Sequence, residues 1–362
     1  MYDMIKWPLD YFLQAWDPAT QEFVAQIGDS DVDHAYWGRP EDMTMPRPCY
    51  KVSPKSPGAD LAGEAAACLA LGSIIFRDKG DTTYADRLLD AAKSLYAFGK
   101  QHPGNYTEAI PEHARAYTSG GYKDEMCEGG IWLYRATNDT QYLVDAKSYY
   151  ENNIAWALFY EYKQTACQLL LYEETGDRSY KDVVVQFMDS YMPDQMDYTP
   201  CGMAFRNEWG SNRYAGNTAF AALAAAEAGI NVAEYRRWAV EQINVLLGDN
   251  RHDGGCFSYQ IGYGTKYPLR PHHRASSCPD VPLPCSYDNL RSPDPSPHVL
   301  VGALVGGPKD AQGNYVDNRE DYVGNEVAID YNSGFQSALA GIIHLIATNN
   351  FPSTNNTCPC EN

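Results

Sequence analysis

The stretch DYVGNEVAIDYNSGF, residues 321–335, sets one glutamate, Glu326, directly before the apolar run Val327, Ala328, Ile329, with Asp321, Tyr322, Asp330 and Tyr331 close by. Apolar neighbours that desolvate a carboxyl disfavour its charged form and raise its pKa, which is what a proton donor near neutral pH needs. Glycosidic bonds are cleaved by pairs of carboxyls, one protonating the leaving oxygen and the other activating water or attacking carbon. Glu326 therefore calls for a partner. Three further stretches carry polar and aromatic groups. DVDHAYWGRPEDMTMPRP (31–48) sets His34 and Trp37 among charges, RNEWGSNRYAGN (206–217) spaces Trp209 and Arg213 four apart, and YGTKYPLRPHHRASSCPD (263–280) brings His272, His273 and Arg274 together. Imidazole and guanidinium groups suit hydrogen bonding to hydroxyls and to a carboxylate. The histidine pair could begin a zinc site, but no His-Glu-x-x-His pattern supplies further ligands, and no Gly-x-Ser-x-Gly marks a serine nucleophile.

These residues lie in long irregular segments, 17–59, 192–210 and 250–332, rich in Gly, Pro, His, Trp and Tyr. Loops of that length in a compact domain are usually functional. The elements that must position them are helices. Apolar periodicity predicts ten, near 1–16, 60–77, 82–98, 123–136, 140–152, 156–174, 179–190, 211–228, 233–247 and 333–347, and strand signals are few. Three corners share one punctuation: Gly80-Asp81, Asn138-Asp139 and Gly176-Asp177, each followed by Tyr84, Tyr142 or Tyr180. Gly or Asn takes the left-handed conformation that ends one helix, and Asp caps the next. Asp81, Asp139 and Asp177 are therefore capping residues. A looser fourth version runs through 227–242.

Composition narrows the ligand. Of 362 residues, 47 are acidic and 28 basic, for a formal net charge of −19, which makes nucleic acid and anionic membrane poor partners. A neutral ligand fits better. Hydrophobic residues at 44% are ample for a core, and 28 Tyr with 7 Trp offer flat faces for sugar rings, although most aromatics are core. No stretch is expected to reach a membrane span, and the first residues read as amphipathic helix and not as a signal peptide. Ten cysteines, without paired C-x-x-C clusters, and sequons at Asn105, Asn138 and Asn355 lean toward an oxidising, secreted context. Cys68, Cys127 and Cys167 fall inside helical patterns and read equally as buried thiols or bridge partners. Cys278 and Cys285 flank a proline-rich loop that a crosslink would fix.

YPLRPHHRASSCPD followed by DNREDYVGNEVAIDYNSGF, with DHAYWGRPEDMTM and SPGADLAGEAAACLALGS upstream, closely resembles glycoside hydrolase family 9, the inverting endo-β-1,4-glucanases. The resemblance implies an all-α fold, an (α/α)6 toroid of twelve helices with an open cleft, of which about ten are expected here. It implies a single catalytic domain over 1–352 with a short tail, 353–362, a secreted monomer, and cellulose or another β-1,4-glucan as partner. By motif, Glu326 resembles the general acid, and His272 and Arg274 the His-x-Arg that holds substrate. Tyr331 matches a tyrosine five residues after the acid. His34, Trp37, Trp156, Trp209 and Arg213 match positions lining sugar subsites. No cofactor is required. Some family members carry a structural calcium, and the matching text here, SGGYKDE, gives Gly120, Gly121, Asp124 and Glu125, with Glu161 where the family has aspartate. Asp124 and Glu125 read equally as first-turn acids complementing a helix dipole.

The family places its general base in an Asp-Ala-Gly-Asp motif ahead of the segment aligned with MYDMIKWPLDYFLQAW, and no such motif occurs in these residues. Asp60 and Glu64 read as caps or buried pairs, and Asp33 matches no base position. The expectation is an N-terminally truncated endoglucanase, or a β-glucan-binding relative without hydrolysis.

Overall fold

A computed structural model describes residues 2–111 and 116–360. The chain divides into two compact units, the first formed by 1–35, 45–155 and 160–183 and the second by 36–44, 156–159 and 184–362.

The first unit opens with α1 (Tyr2–Ala15) and an antiparallel sheet of β1 (Trp16–Asp17), β2 (Glu22–Ile27) and β3 (Cys49–Val52), with the short α2 (Ser30–His34) between β2 and β3. Its core helix is α3 (Ala59–Asp78), flanked by α4 (Thr82–Gln101) and α6 (Lys123–Thr137), with the short α5 (Tyr106–Ala109) between them in sequence. α3 corrects one expectation, since it is long and apolar enough to cross a membrane by length and composition. Its small apolar side chains, Ala62, Ala65, Ala66, Leu69 and Ala70, are instead buried against its neighbours. A Cβ at Gly63 would stand 2.6 Å from the Glu125 carbonyl carbon, so α3 and α6 approach as closely as glycine permits. α7 (Thr140–Tyr149) packs on α6, and α8 (Gln164–Thr175) follows, bonded to α6 by a Cys127–Cys167 disulfide. That bridge resolves two of the three helical cysteines, and Cys68 stays a thiol.

The corners form as their residues require. Asn138 ends α6 at φ 58° and Gly176 ends α8 at φ 68°, while Asp81, Asp139 and Asp177 accept the backbone N–H groups of Tyr84, Gln141 and Ser179 at 3.2, 2.9 and 2.9 Å. The helix expected over 156–174 begins only at Gln164. Within the first unit, the Lys163 N–H donates to the Asp124 carboxylate at 2.6 Å, which fixes the chain before it can coil. α9 (Arg178–Asp189) carries the division between the units.

The second unit centres on α10 (Ser211–Glu227), which packs against α11 (Val232–Leu247) and α15 (Ile329–Ala347). α15 starts four residues earlier than periodicity suggested, at Ile329 and not 333. Gly334 lets it meet α10, its N–H donating to Asn217 Oδ1 at 3.1 Å. The long loops hold only short helices, α12 (Arg274–Ser277), α13 (Tyr287–Arg291) and α14 (Tyr322–Asn325). Disulfides stabilise them: Cys278–Cys285 forms as expected, and Cys201–Cys358 and Cys256–Cys360 fasten residues 358 and 360 back onto this unit.

Candidate active site

The site is assembled in the second unit from loops that pair like short strands. The His272 N–H donates to the Asn325 carbonyl at 2.8 Å, and the Gly306 and Gly307 N–H groups donate to the Glu326 and Gly324 carbonyls at 3.0 and 2.9 Å. Asn325, fully buried, is clamped by Tyr315 Oη at 2.5 Å and by its own amide to the Val316 carbonyl at 2.8 Å. Glu326 follows it as the residue that ends α14. Its backbone is thus bonded on two sides, and its side chain projects from a fixed frame.

The carboxyl is held by two donors on one oxygen: Trp209 Nε1 and Tyr331 Oη each lie 3.2 Å from Glu326 Oε2. The surroundings differ from the expected apolar wrap, because Ile329 is 89% exposed. The flanking acids are committed elsewhere. Asp321 pairs with Lys309 at 2.9 Å and Asp330 with Arg213 at 2.7 Å. Neither stands ready as the second carboxyl. Gly210, at φ 72°, starts α10 against the Tyr331 ring and leaves Trp209 exposed just ahead of it. Arg213, one turn on, is placed differently from a subsite residue: it is 6% exposed, bonded to Tyr214 Oη at 2.8 Å, with its guanidinium over the Tyr331 ring. It clamps α10 to the start of α15 behind the carboxyl. Tyr331 is likewise buried.

His272 donates from Nδ1 to the Arg319 carbonyl at 2.7 Å, since a carbonyl can only accept, and Nε2 is left as the other face of the ring. Aromatic contacts run from Trp37 to His272 (5.1 Å), Tyr322 (6.0 Å) and Trp209 (5.3 Å). Trp37, His272, Trp209 and Glu326 therefore share one connected group. Trp37 is 8% exposed and bonded to Ser277 Oγ at 3.0 Å, so it braces His272 and offers no open face. Arg274 donates to the Tyr36 carbonyl at 3.1 Å. His273 is used structurally: its Nδ1 accepts the Ser276 N–H at 3.2 Å and caps α12, and burial, with Arg274 and His272 beside it, lowers its pKa. Trp156 is half exposed, with Arg206 over its ring and Tyr214 edge-on at 5.2 Å. His34 belongs to the first unit, exposed, its Nδ1 beside the Ser30 carbonyl at 2.6 Å.

Sequence reasoning missed Arg319. It is 2% exposed, and its guanidinium donates to the carbonyls of Asn289, Ser292 and Asp294 and to Ser296 Oγ at 2.8–3.0 Å. One residue thereby ties loop 289–296 by its side chain and His272 by its carbonyl. Its only visible signal was one arginine in a run of charges.

The calcium candidates lie in the first unit. Asp124 and Glu125 occupy the first turn of α6, both buried, and burial, reinforced by Asp124, pushes the Glu125 carboxyl well above its ordinary pKa. Glu125 Oε2 has no hydrogen-bond partner, an orphaned buried oxygen that a hard cation would satisfy. Burial also raises the Glu161 carboxyl. Among the described residues no three His, Cys, Asp or Glu side chains are gathered to hold a metal ion, so such a site would lean on the Gly120 and Gly121 carbonyls. The alternative base candidates have structural partners. Asp33 pairs with Arg47 at 2.6 Å, Asp60 accepts the Tyr106 N–H through both oxygens, and Glu64 faces Lys163 at 3.5 Å.

Comparison with known proteins agrees over nearly the whole length. Residues 1–339 match the glycosyl hydrolase family 9 sequence profile. Endoglucanase B of Cellulomonas fimi is 38% identical over 359 residues, 94% of this chain and 33% of that protein. Endoglucanase A of Bacillus pumilus is 39% identical over 364 residues, 95% of this chain and 53% of that protein. The chain thus spans a third to about half of these relatives. The solved endoglucanase of the termite Nasutitermes takasagoensis superposes with a TM-score of 0.89 at 46% identity, covering 95% of this chain and 78% of that one. Cellulase Cel9M of C. cellulolyticum, solved with cellobiose, gives 0.86 at 33% identity, with 95% and 78% covered.

Proposed function

The chain belongs to glycosyl hydrolase family 9, of all-α (α/α)6 fold, and on that premise we propose that it is an endo-β-1,4-glucanase chain with Glu326 as general acid. The observation that carries the reading is the carboxyl of Glu326 fixed by Trp209 and Tyr331 within the aromatic chain that includes His272. Two donors on Oε2 hold the carboxyl plane, so a proton carried on Oε1 has a defined direction, as transfer to a leaving oxygen requires. His272 Nε2 and Arg274 would orient hydroxyls of the sugar at the point of cleavage, and Trp209 and Trp156 offer exposed faces for neighbouring rings. The substrate is cellulose or a related β-glucan, and four disulfides suit a secreted protein. A calcium held by Gly120, Gly121, Asp124, Glu125 and Glu161 would be structural, lending charge to the first unit; a chelator should then lower its Tm.

Inversion needs a second carboxyl roughly 6.5–9.5 Å from the acid with water between. We place that base outside these residues, because Asp321 and Asp330 are ion-paired and no Asp-Ala-Gly-Asp occurs. Residues 1–362 alone should bind cellotetraose yet release few reducing ends, a shortfall on the order of 10²–10⁴ for lost base assistance. The same pairing of Asp321 and Asp330 favours, as a second reading, a β-glucan-binding relative without hydrolysis. Supplying an Asp-Ala-Gly-Asp-bearing segment from a relative distinguishes them: restored turnover with inverted product anomers supports the enzyme. Binding without turnover supports the second reading, and full turnover by 1–362 alone refutes that reading and the placement of the base outside these residues.

A further inference from the structure

The three Asn-x-Thr sequons at Asn105, Asn138 and Asn355 are chemically alike, and the fold treats them differently. Asn105 is 9% exposed, and its Oδ1 accepts the Glu108 N–H at 3.0 Å as the cap of α5. The hydroxyl of its sequon threonine, Thr107, accepts the Ser119 N–H at 2.7 Å. Both side chains of that sequon are used within the first unit. A glycan on Asn105 Nδ2 would have to leave through packed protein and would disturb the cap that Oδ1 makes.

Asn138 stands at an exposed corner between α6 and α7. The corner is held by its main chain: the N–H closes α6 on the Tyr134 carbonyl at 2.7 Å, and φ 58° suits asparagine. The side chain carries none of that work, and Thr140 is exposed at the first turn of α7. Asn355 and Thr357 are exposed in a segment without regular structure, anchored by the Asn355 N–H on Glu241 at 2.8 Å and by Cys358 just beyond. Here too the amide is spare.

We propose that Asn138 and Asn355 carry N-linked glycans while Asn105 stays unmodified, given the secretory route proposed above. The donor is a lipid-linked oligosaccharide pyrophosphate. A bond forms between Asn Nδ2 and sugar C1, the bond from C1 to the pyrophosphate oxygen breaks, the pyrophosphate leaves with the electron pair, and the amide proton is lost to base. Because transfer precedes folding, any chain modified at Asn105 cannot complete the first unit and is not exported.

The test is expression of the full chain in a secreting eukaryotic cell, followed by peptide N-glycosidase in heavy-oxygen water and peptide mapping. Labelled aspartate is expected at 138 and 355 and unmodified asparagine at 105. Thr140→Ala and Thr357→Ala should each remove one glycan from the intact mass without disturbing the left-handed Asn138, and Thr107→Ala should remove none. Label at 105, or unmodified asparagine at 138 or 355 in the exported wild-type protein, overturns the proposal. The peptide map reads the sites even where a variant is not exported.

Discussion

Glu326 and Arg319 stand at opposite ends of what the residue types reveal. Glu326, His272, Arg274 and Trp209 were legible because their chemistry is carried in the side chain and their order along the chain forms motifs. Arg319 was not, because its role arises from burial among carbonyls that no local pattern announces. Burial also separates Trp37 and Arg213 from the exposed Trp209 and Trp156, although all four read alike as aromatic or basic loop residues. Two variants test the residue scale. Glu326→Gln keeps the acceptor for Trp209 and Tyr331 but removes the acid, so cellotetraose affinity should hold. In the base-supplied protein, turnover should fall by about 10²–10⁴; an unchanged rate would assign the proton to another group. Arg319→Met leaves the carbonyls of Asn289, Ser292 and Asp294 without their donor, at about 1–3 kcal/mol each. Thermal unfolding should show a large drop in Tm, and a small one would mean that water replaces the guanidinium.

At the scale of elements, the corners were readable because Gly or Asn followed by Asp specifies both a stop and a cap. The start of α8 was not, since residues 156–163 have helical spacing yet stay outside the helix, and the Lys163 N–H just before it is taken within the first unit by the distant carboxylate of Asp124. The small sheet was missed for the same kind of reason: β1 offers β2 only Trp16–Asp17, and most of β2 pairs only when Cys49–Val52 returns. The α3–α6 crossing gives a clean prediction. Gly63→Ala should raise helix propensity by about 1 kcal/mol. The new Cβ, however, would meet backbone at 2.6 Å, and overpacking of that kind costs about 1–3 kcal/mol. Net destabilisation by chemical denaturation is expected, and a stabilised variant would show that the helices part freely. His273 gives a second. It caps α12 through a neutral Nδ1, and its pKa lies below the ordinary 6.5, through burial first and then Arg274 and His272. A lowered histidine pKa means that this stability is present above pH 6.5 and lost as pH falls through the folded value. His273→Asn, which caps without titrating, should therefore lose less Tm on acidification than the wild type.

At the scale of the whole molecule, each unit has an apolar helix stripe that is exposed among the described residues. On α1, Met4, Trp7 and Tyr11 are 72, 78 and 47% exposed at helical spacing, and on α15, Ile343 and Ile346 are 66 and 57% exposed. The pinning of Cys358 and Cys360 could not be read from spacing alone. Those pins close loops of 157 and 104 residues by sequence separation, worth about 2–5 kcal/mol on removal, so the last residues stabilise the second unit and should not be trimmed. The apolar stripes act in the opposite direction. Contiguous exposed patches drive association, and the net charge of −19 opposes it only over a Debye length of about 8 Å at physiological salt. Residues 1–362 should therefore self-associate as concentration rises, more strongly when salt screens the charge. Met4→Lys with Trp7→Lys places two cations on the α1 face at solvent-exposed positions, without touching the buried Leu9 that anchors the helix. Sedimentation velocity should show the double variant shifted toward monomer with cellotetraose affinity unchanged, and a wild-type chain that stays monomeric at every salt and concentration would show that these stripes are too small to pair.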